Sequence, residues 1–298
     1  MAPGPTHSPS TADAMPEVDG VKHSWVDANG LRTHVAEAGA GQPVVLLHGW
    51  PQHWYCWRHL IPRLAGSYRV ICPDLRGHGW TEAPRTGYEK EQLATDVLAL
   101  LDALDLKRVS LVGHDWGGFA GFLMCLREPE RIARYLALNI IHPWPTVDAA
   151  NLWRLSYQLG LSLPATGSVR ARVMPGLVRD ALRRSAAHPG TFTREDLEVF
   201  ALRFSDPARA NATARIYRTS AFKEGPALAR GHYDSQRLRT PTLLLFGERD
   251  LVISTRMLQG FESHADDMRL ELVPEAGHFI VEDCPDLVAT RALEFLGG

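Results

Sequence analysis

Five short apolar runs with almost no polar interruption do most to limit what this chain can fold into. Val44-Val45-Leu46-Leu47, Val70-Ile71-Cys72, Val109-Ser110-Leu111-Val112, Leu136-Ala137-Leu138 and Leu243-Leu244-Leu245-Phe246 are nearly continuous rather than alternating. Runs of that length and character suit strands of a parallel sheet, covered on both faces. Helical patterns separate them. Glu91 to Leu106 sets Leu93, Val97, Leu98, Leu101 and Leu104 along one stripe, and Gly118 to Arg127 is small and apolar throughout. Pro285 to Leu296 opens on proline and offers Leu287, Ala292, Leu293 and Phe295 for packing. Ahead of all these, Ser24–Asp27 and Leu31–Glu37 flank Ala28-Asn29-Gly30, whose Asn-Gly pair suits a hairpin turn. The alternation predicts an α/β chain with a doubly wound, mostly parallel sheet. In such sheets ligands sit beyond the carboxyl ends of the strands, which directs attention to the residues just after each run.

The alternation breaks between His142 and Leu238. That stretch has no convincing strand run, is punctuated by Pro164, Pro175, Pro189 and Pro207, and carries 14 Lys and Arg against 8 Asp and Glu. It is expected to form an inserted helical lid, 142–238, with the α/β core divided between 21–141 and 239–298. Residues 1–20, rich in Pro, Ser, Thr and Ala, are expected to be a flexible leader. They show neither the basic start nor the apolar stretch of a secretory signal, so a cytoplasmic location is expected. With a formal net charge of −2 there is no basic excess to attract nucleic acid or anionic lipid. No apolar run reaches membrane-spanning length. Cys56, Cys72, Cys125 and Cys284 are scattered and read as free thiols, with no metal-ligand spacing.

The chemistry is concentrated in Gly113-His114-Asp115-Trp116-Gly117, which follows one strand run and precedes a small-residue helix. Glycines two before and two after a central residue form the nucleophile-elbow pattern, a turn so sharp that neighbouring side chains must be absent. Serine normally stands at the centre; here it is Asp115. As a lone motif this could be a turn whose aspartate caps the next helix. Two later stations argue otherwise, because an elbow of this kind is followed along the chain by an acid and then a histidine. The strand run 243–246 ends in Gly247-Glu248-Arg249-Asp250, and Leu270–Val273 is followed by Glu275-Ala276-Gly277-His278. Asp250 would orient the imidazole of His278 and stabilise its cation, with Glu248 the rival acid. The loop after the first parallel run, His48-Gly49-Trp50-Pro51, would supply one backbone N–H of an oxyanion hole at Trp50, and Trp116 the other. Asp74-Leu75-Arg76-Gly77-His78-Gly79 reads as a turn rather than a substrate contact.

With these residues in place, the chain resembles the soluble epoxide hydrolases of the α/β-hydrolase fold, over nearly everything after residue 20. The His-Gly-aromatic-Pro loop, the Gly-His-Asp-Trp-Gly-Gly elbow, Asp250 and Gly277-His278 fall in family order. The resemblance is to the carboxylate-nucleophile branch, which also holds haloalkane and fluoroacetate dehalogenases. It implies two lid tyrosines facing the epoxide oxygen, the first in a Tyr-Gln pair and the second in a Tyr-Arg pair. Tyr157-Gln158 and Tyr217-Arg218 match; Tyr233 lacks that neighbour. It further implies a small-molecule epoxide and water as reactants, no cofactor or metal, and Trp50, Pro51, Trp116 and Gln158 at the substrate. Departures from the dehalogenase patterns are Trp50, where an asparagine often stands, and Trp116, where an arginine does. The expected reaction is attack by Asp115 on the epoxide, with Tyr157 and Tyr217 assisting ring opening. Water activated by His278 and Asp250 then cleaves the ester. A dehalogenase using the same aspartate and a non-catalytic ligand-binding relative are the alternatives; an esterase would need serine at the elbow.

Overall fold

The computed structural model describes residues 14–146, 157–162 and 167–297, and the side chains of all these except 157–159, 167 and 168. The apolar runs form the middle of one eight-stranded sheet. In chain order its strands are β1 (Lys22–Ala28), β2 (Leu31–Ala38), β3 (Gln42–Leu47), β4 (Tyr68–Pro73), β5 (Val109–His114), β6 (Ile132–Leu138), β7 (Thr242–Gly247) and β8 (Met268–Val273). Across the sheet they run β1-β2-β4-β3-β5-β6-β7-β8. β2 pairs antiparallel with β1 and with β4, and every pairing from β4 to β8 is parallel. The hairpin joining β1 and β2 turns on Asn29 at φ 53° and Gly30 at φ 78°, as its Asn-Gly pair predicts.

Successive side chains of a strand point to opposite faces, so a continuous apolar run feeds two cores at once. Val44, Leu46, Leu138 and Leu245 join one core, with the helices α1 (Ile61–Leu64) and α10 (Pro285–Gly297). Val45, Leu47, Leu111 and Leu244 join the other, with α2 (Lys90–Ala103) and α3 (Asp115–Arg127). Burying each such Val or Leu stabilises the fold by ~1.5–3 kcal/mol relative to exposure. Met15 and Val18, within the stretch read as a leader, also pack against the first core.

Between β6 and β7 the described residues form helices: α4 (Tyr157–Ser162), α5 (Gly167–Ser185), α6 (Arg194–Leu202), α7 (Pro207–Thr219) and α8 (Gly225–Ala229). Thr193 opens α6 with a capping box, its hydroxyl accepting from the Asp196 N–H at 3.1 Å while Asp196 accepts from the Thr193 N–H at 2.9 Å. Asp206 caps α7 through the Ala208 N–H. Leu197, Phe200, Phe204 and Tyr217 of this insert join the core that contains Trp50 and Trp54. Arg203 and Arg209 both donate to the carbonyl of Gly79, in the loop after β4. Among the described residues no helix is long and apolar enough to cross a membrane.

Some boundaries differ from the sequence expectation. Helix α3 starts at Asp115 rather than Gly118, because the elbow residue itself opens the helix. The single turns α1, Trp54–Trp57 and α9 (Ile280–Asp283) are too short for any periodicity to register. β3 lies between β4 and β5, so the chain leaves it to one side for β4 and returns on the other as β5. Loops after β3 and β5 therefore flank a topological switch point, and the elbow stands there.

Candidate active site

The elbow holds Asp115 at φ 48°, a left-handed conformation costly for a residue with a side chain. The surrounding backbone enforces it. A Cβ at Gly117 would lie 2.3 Å from the His48 carbonyl oxygen and 2.5 Å from that of Leu47, so β3 and α3 can meet only across a glycine. The Asp115 side chain is buried, with one face on the loop that follows β3. There the Trp50 N–H donates to Asp115 Oδ2 at 2.8 Å. Burial pushes the Asp115 carboxyl above the usual carboxylate range, against the pull of His278, the Trp50 and Trp116 N–H groups, and Lys90.

His278 approaches the other oxygen, its Nε2 standing 3.9 Å from Asp115 Oδ1. Its Nδ1 is hydrogen-bonded to Asp250 Oδ2 at 2.9 Å. Burial alone would lower the His278 pKa, but Asp250, and then Asp115, outweigh it and raise it. Asp250 is likewise penalised by burial, yet His278 and its hydrogen-bond donors hold its carboxyl below the ordinary value. Those donors include the Val252 and Ile253 N–H groups, at 2.7 and 2.9 Å from Oδ1. Glu248, the rival acid, faces solvent.

Tyr217 on α7 is buried between the two tryptophans that flank the carboxylate. Its ring lies edge-on to Trp50 at 5.3 Å and to Trp116 at 5.9 Å between centroids. The Trp50 indole is fixed by a hydrogen bond to Thr213 Oγ1. Tyr157 opens α4, which packs on α7, but the side chains of Tyr157 and Gln158 lie outside the described residues. Pro51 is buried beside Trp50. A cavity of about 850 Å³ opens from Asp115 and Trp116. Its described wall includes none of Trp50, Pro51, Tyr217 and His278, although all were expected at the substrate or the reacting groups, while Tyr233 does line it.

Several neighbours of this constellation escaped the sequence reading. Asn139, just past β6 and at φ 41°, donates to Asp250 Oδ2 at 2.8 Å and accepts from the Gly247 N–H at 3.1 Å. A lone polar residue ending the run Leu136–Leu138 was its signal. His114 donates from Nε2 to the His278 carbonyl at 2.8 Å, and burial drives its pKa down to about 3, so the ring is neutral. Asp283 accepts from the N–H groups of Ala187 and Gly277 and from the Thr191 hydroxyl. Lys90 is buried with its ammonium 4.1 Å from the Trp116 ring centroid and 2.7 Å from Glu224 Oε2.

Asp74, by contrast, is tied into scaffolding. It takes hydrogen bonds from the Trp54 and Trp80 N–H groups at 2.8 and 2.9 Å and pairs with His34 at 2.7 Å. All four cysteines are free. Among the described residues, no cluster of three or more His, Cys, Asp or Glu side chains is placed to hold a metal.

Comparison with known proteins gives the family and the fold. Residues 42–285 match the family model of the alpha/beta hydrolase fold. The chain is 31% identical to the soluble epoxide hydrolase of Corynebacterium sp. (strain C12), over 92% of this chain and 97% of the relative. It is 32% identical to human epoxide hydrolase 4, over 90% of this chain and 76% of that protein. The crystal structure of wild-type Cfl2 from Burkholderia cenocepacia superposes with a TM-score of 0.84 at 27% identity, covering 94% of this chain and 97% of that one. With an eight-stranded, mostly parallel sheet, an elbow at its switch point and a family match across most of its length, the chain belongs to the α/β-hydrolase family.

Proposed function

We propose that this protein hydrolyses an epoxide to a vicinal diol through a covalent ester on Asp115. One observation carries the reading: the elbow presents a carboxylate with Oδ2 on the Trp50 N–H and Oδ1 turned toward His278 at 3.9 Å. That separation is too long for a direct hydrogen bond. A serine would need such a bond to become a nucleophile; an ionised carboxylate does not. The relatives named as epoxide hydrolases in Corynebacterium and human support the same reading.

In the first step Asp115 Oδ1 attacks an epoxide carbon in line with the C–O bond that breaks. Tyr217, with Tyr157 as its partner, donates to the departing oxygen, which becomes the product's first hydroxyl. The ester carbonyl oxygen is then Oδ2, still on the Trp50 N–H, with the Trp116 N–H beside it. In the second step His278 takes a proton from water, held in the productive tautomer by Asp250, and the resulting hydroxide attacks the ester carbon. Charge develops on Oδ2, to which the Trp50 N–H already donates. On collapse the ester bond breaks and the departing diol oxygen takes the proton held by His278. The acid proton left on Asp115 goes, through solvent, to the tyrosine that gave one up, which restores the carboxylate. The helices within 142–238 act as a lid that keeps bulk water from the first step.

A single turnover in heavy-oxygen water tests the scheme. The label is expected on Asp115 and not in the first-turnover diol; a fully labelled diol would mean direct attack by water. The Trp116 indole N–H favours a second reading, because it is buried without an acceptor among the described residues. A halide leaving group would fill that role, making the protein a dehalogenase. Halide release from haloalkanes without diol formation from any epoxide would establish that alternative.

A further inference from the structure

The cavity that opens from Asp115 is large for the reaction it would serve. Its volume of about 850 Å³ lies near the upper end of pockets that enclose drug-sized ligands. One wall is apolar, with Phe119, Ile140, Val252, Ile253 and Met257. A small terminal epoxide would leave that wall against water and forgo most of the available hydrophobic stabilisation. A second wall is built from the start of α2 and from residues of the segment Ser220–Ala229, which begins with a single π-helical turn, a distortion frequent at functional sites.

Charges on this second wall are cancelled in pairs. Lys90 is salt-bridged to Glu224 at 2.7 Å and Lys223 to Glu89 at 2.8 Å. Glu91 is paired with Arg127 and also accepts from the Tyr233 hydroxyl at 2.7 Å. Among the described lining residues, each ammonium is thus already matched by a carboxylate. A carboxylate on the substrate would find no unpaired ammonium there and would share an apolar cavity with Asp115. A cationic substrate would have to displace Lys90 or Lys223 after shedding its own hydration. Both placements are costly in a site of low polarity.

We propose that the substrate is a bulky, uncharged epoxide whose non-reacting body fills the space between the Phe119–Met257 wall and the Ser220–Ala229 segment. This rests on the epoxide-opening reading above. The test is a matched series of one long-chain epoxide carrying a methyl ester, a free acid or a primary amine at its far end. A small terminal epoxide is assayed beside them, all for diol formation at pH 8. The ester is expected to exceed the acid and the amine in kcat/KM by at least about tenfold, and to exceed the small epoxide by a similar factor. Ala227→Trp, which adds bulk at a lining residue outside the proposed catalytic groups, is expected to lower the ratio of bulky to small turnover by about tenfold. Equal or better turnover of the acid, or preference for the small epoxide, would overturn the proposal while leaving epoxide hydrolysis intact. Absence of diol from every substrate would instead sink the reading it rests on.

Discussion

The backbone N–H of His278 donates to the carbonyl of Ser185 at 3.0 Å, so the histidine is suspended from the last turn of helix α5 in the insert. The attachment is reinforced next door. Asp283 takes N–H groups from Gly277 on one side and from Ala187 on the other, and His188 Nε2 donates to the Glu275 carbonyl. The loop that carries the proposed base is therefore held by the segment that ends helix α5 as well as by the sheet.

Asp283→Ala should loosen that attachment. It removes the acceptor of the part-buried Ala187 and Gly277 N–H groups, while the Thr191 hydroxyl keeps the His188 carbonyl. Ester hydrolysis should slow by roughly tenfold or more while formation of the ester is less affected. Rapid-quench measurement of the two steps checks this; equal slowing of both would mean that Asp283 supports the fold in general.

His278→Gln should trap the ester. Intact-mass analysis after mixing with substrate should show the chain heavier by one substrate molecule, with steady-state turnover reduced by about three orders of magnitude or more. Asp115→Asn should show neither adduct nor turnover. An adduct on Asp115→Asn would move the nucleophile elsewhere.

The pH profile of the hydrolytic step should report His278. The step needs the neutral ring, so activity should fall as pH drops through the His278 pKa. Asp250 and the free Asp115 carboxylate both raise that pKa. Asp115 is a neutral ester at this step, which places the limb below the His278 pKa of the free enzyme. Asp250→Asn removes the larger of those two influences and should shift that limb to lower pH, besides lowering the rate. A limb that stays in place in the variant would assign it to another group.

Folding stability should fall in mild acid. Burial holds His48 and His114 near about 3, and His53, His78 and His142 near about 4. All five bind protons in the unfolded chain from about pH 6.5 downward but stay neutral when folded. Their contribution is complete above that pH and is lost as the pH falls toward 4. Glu282, pushed up to about 7 by burial, acts in the opposite sense, as do the raised pKa values of Asp115 and His278. Each histidine loses roughly 1 kcal/mol between pH 6 and 5, and the five outnumber the opposing groups, so the net effect is a loss of stability. Urea titrations at those two pH values would measure it; equal midpoints would contradict the assignment of neutral buried histidines.

Legibility in the sequence followed distance along the chain. Asp115 announced itself because its glycines are local, and Asp250 and His278 because each follows its own strand. The sheet was legible for the same reason: a continuous apolar run needs no knowledge of its partner. Lys90 was not, because its meaning depends on Glu224, 134 positions away. Asn139 and Asp283 gain their roles only from loops that the fold brings to them. Within the insert, periodicity found helices without revealing which side faced the cavity.

The hydrogen bond from the Trp50 N–H to Asp115 Oδ2 bears on how chemistries diverge within this architecture. The donor is aimed at an oxygen that belongs to the protein. Replacing Asp115 by serine would withdraw that oxygen and leave the same N–H pointing at whatever carbonyl a substrate brought in. Ester cleavage and ring opening would then be separated by ownership of one oxygen atom, with the sheet, the elbow and the histidine left as they are.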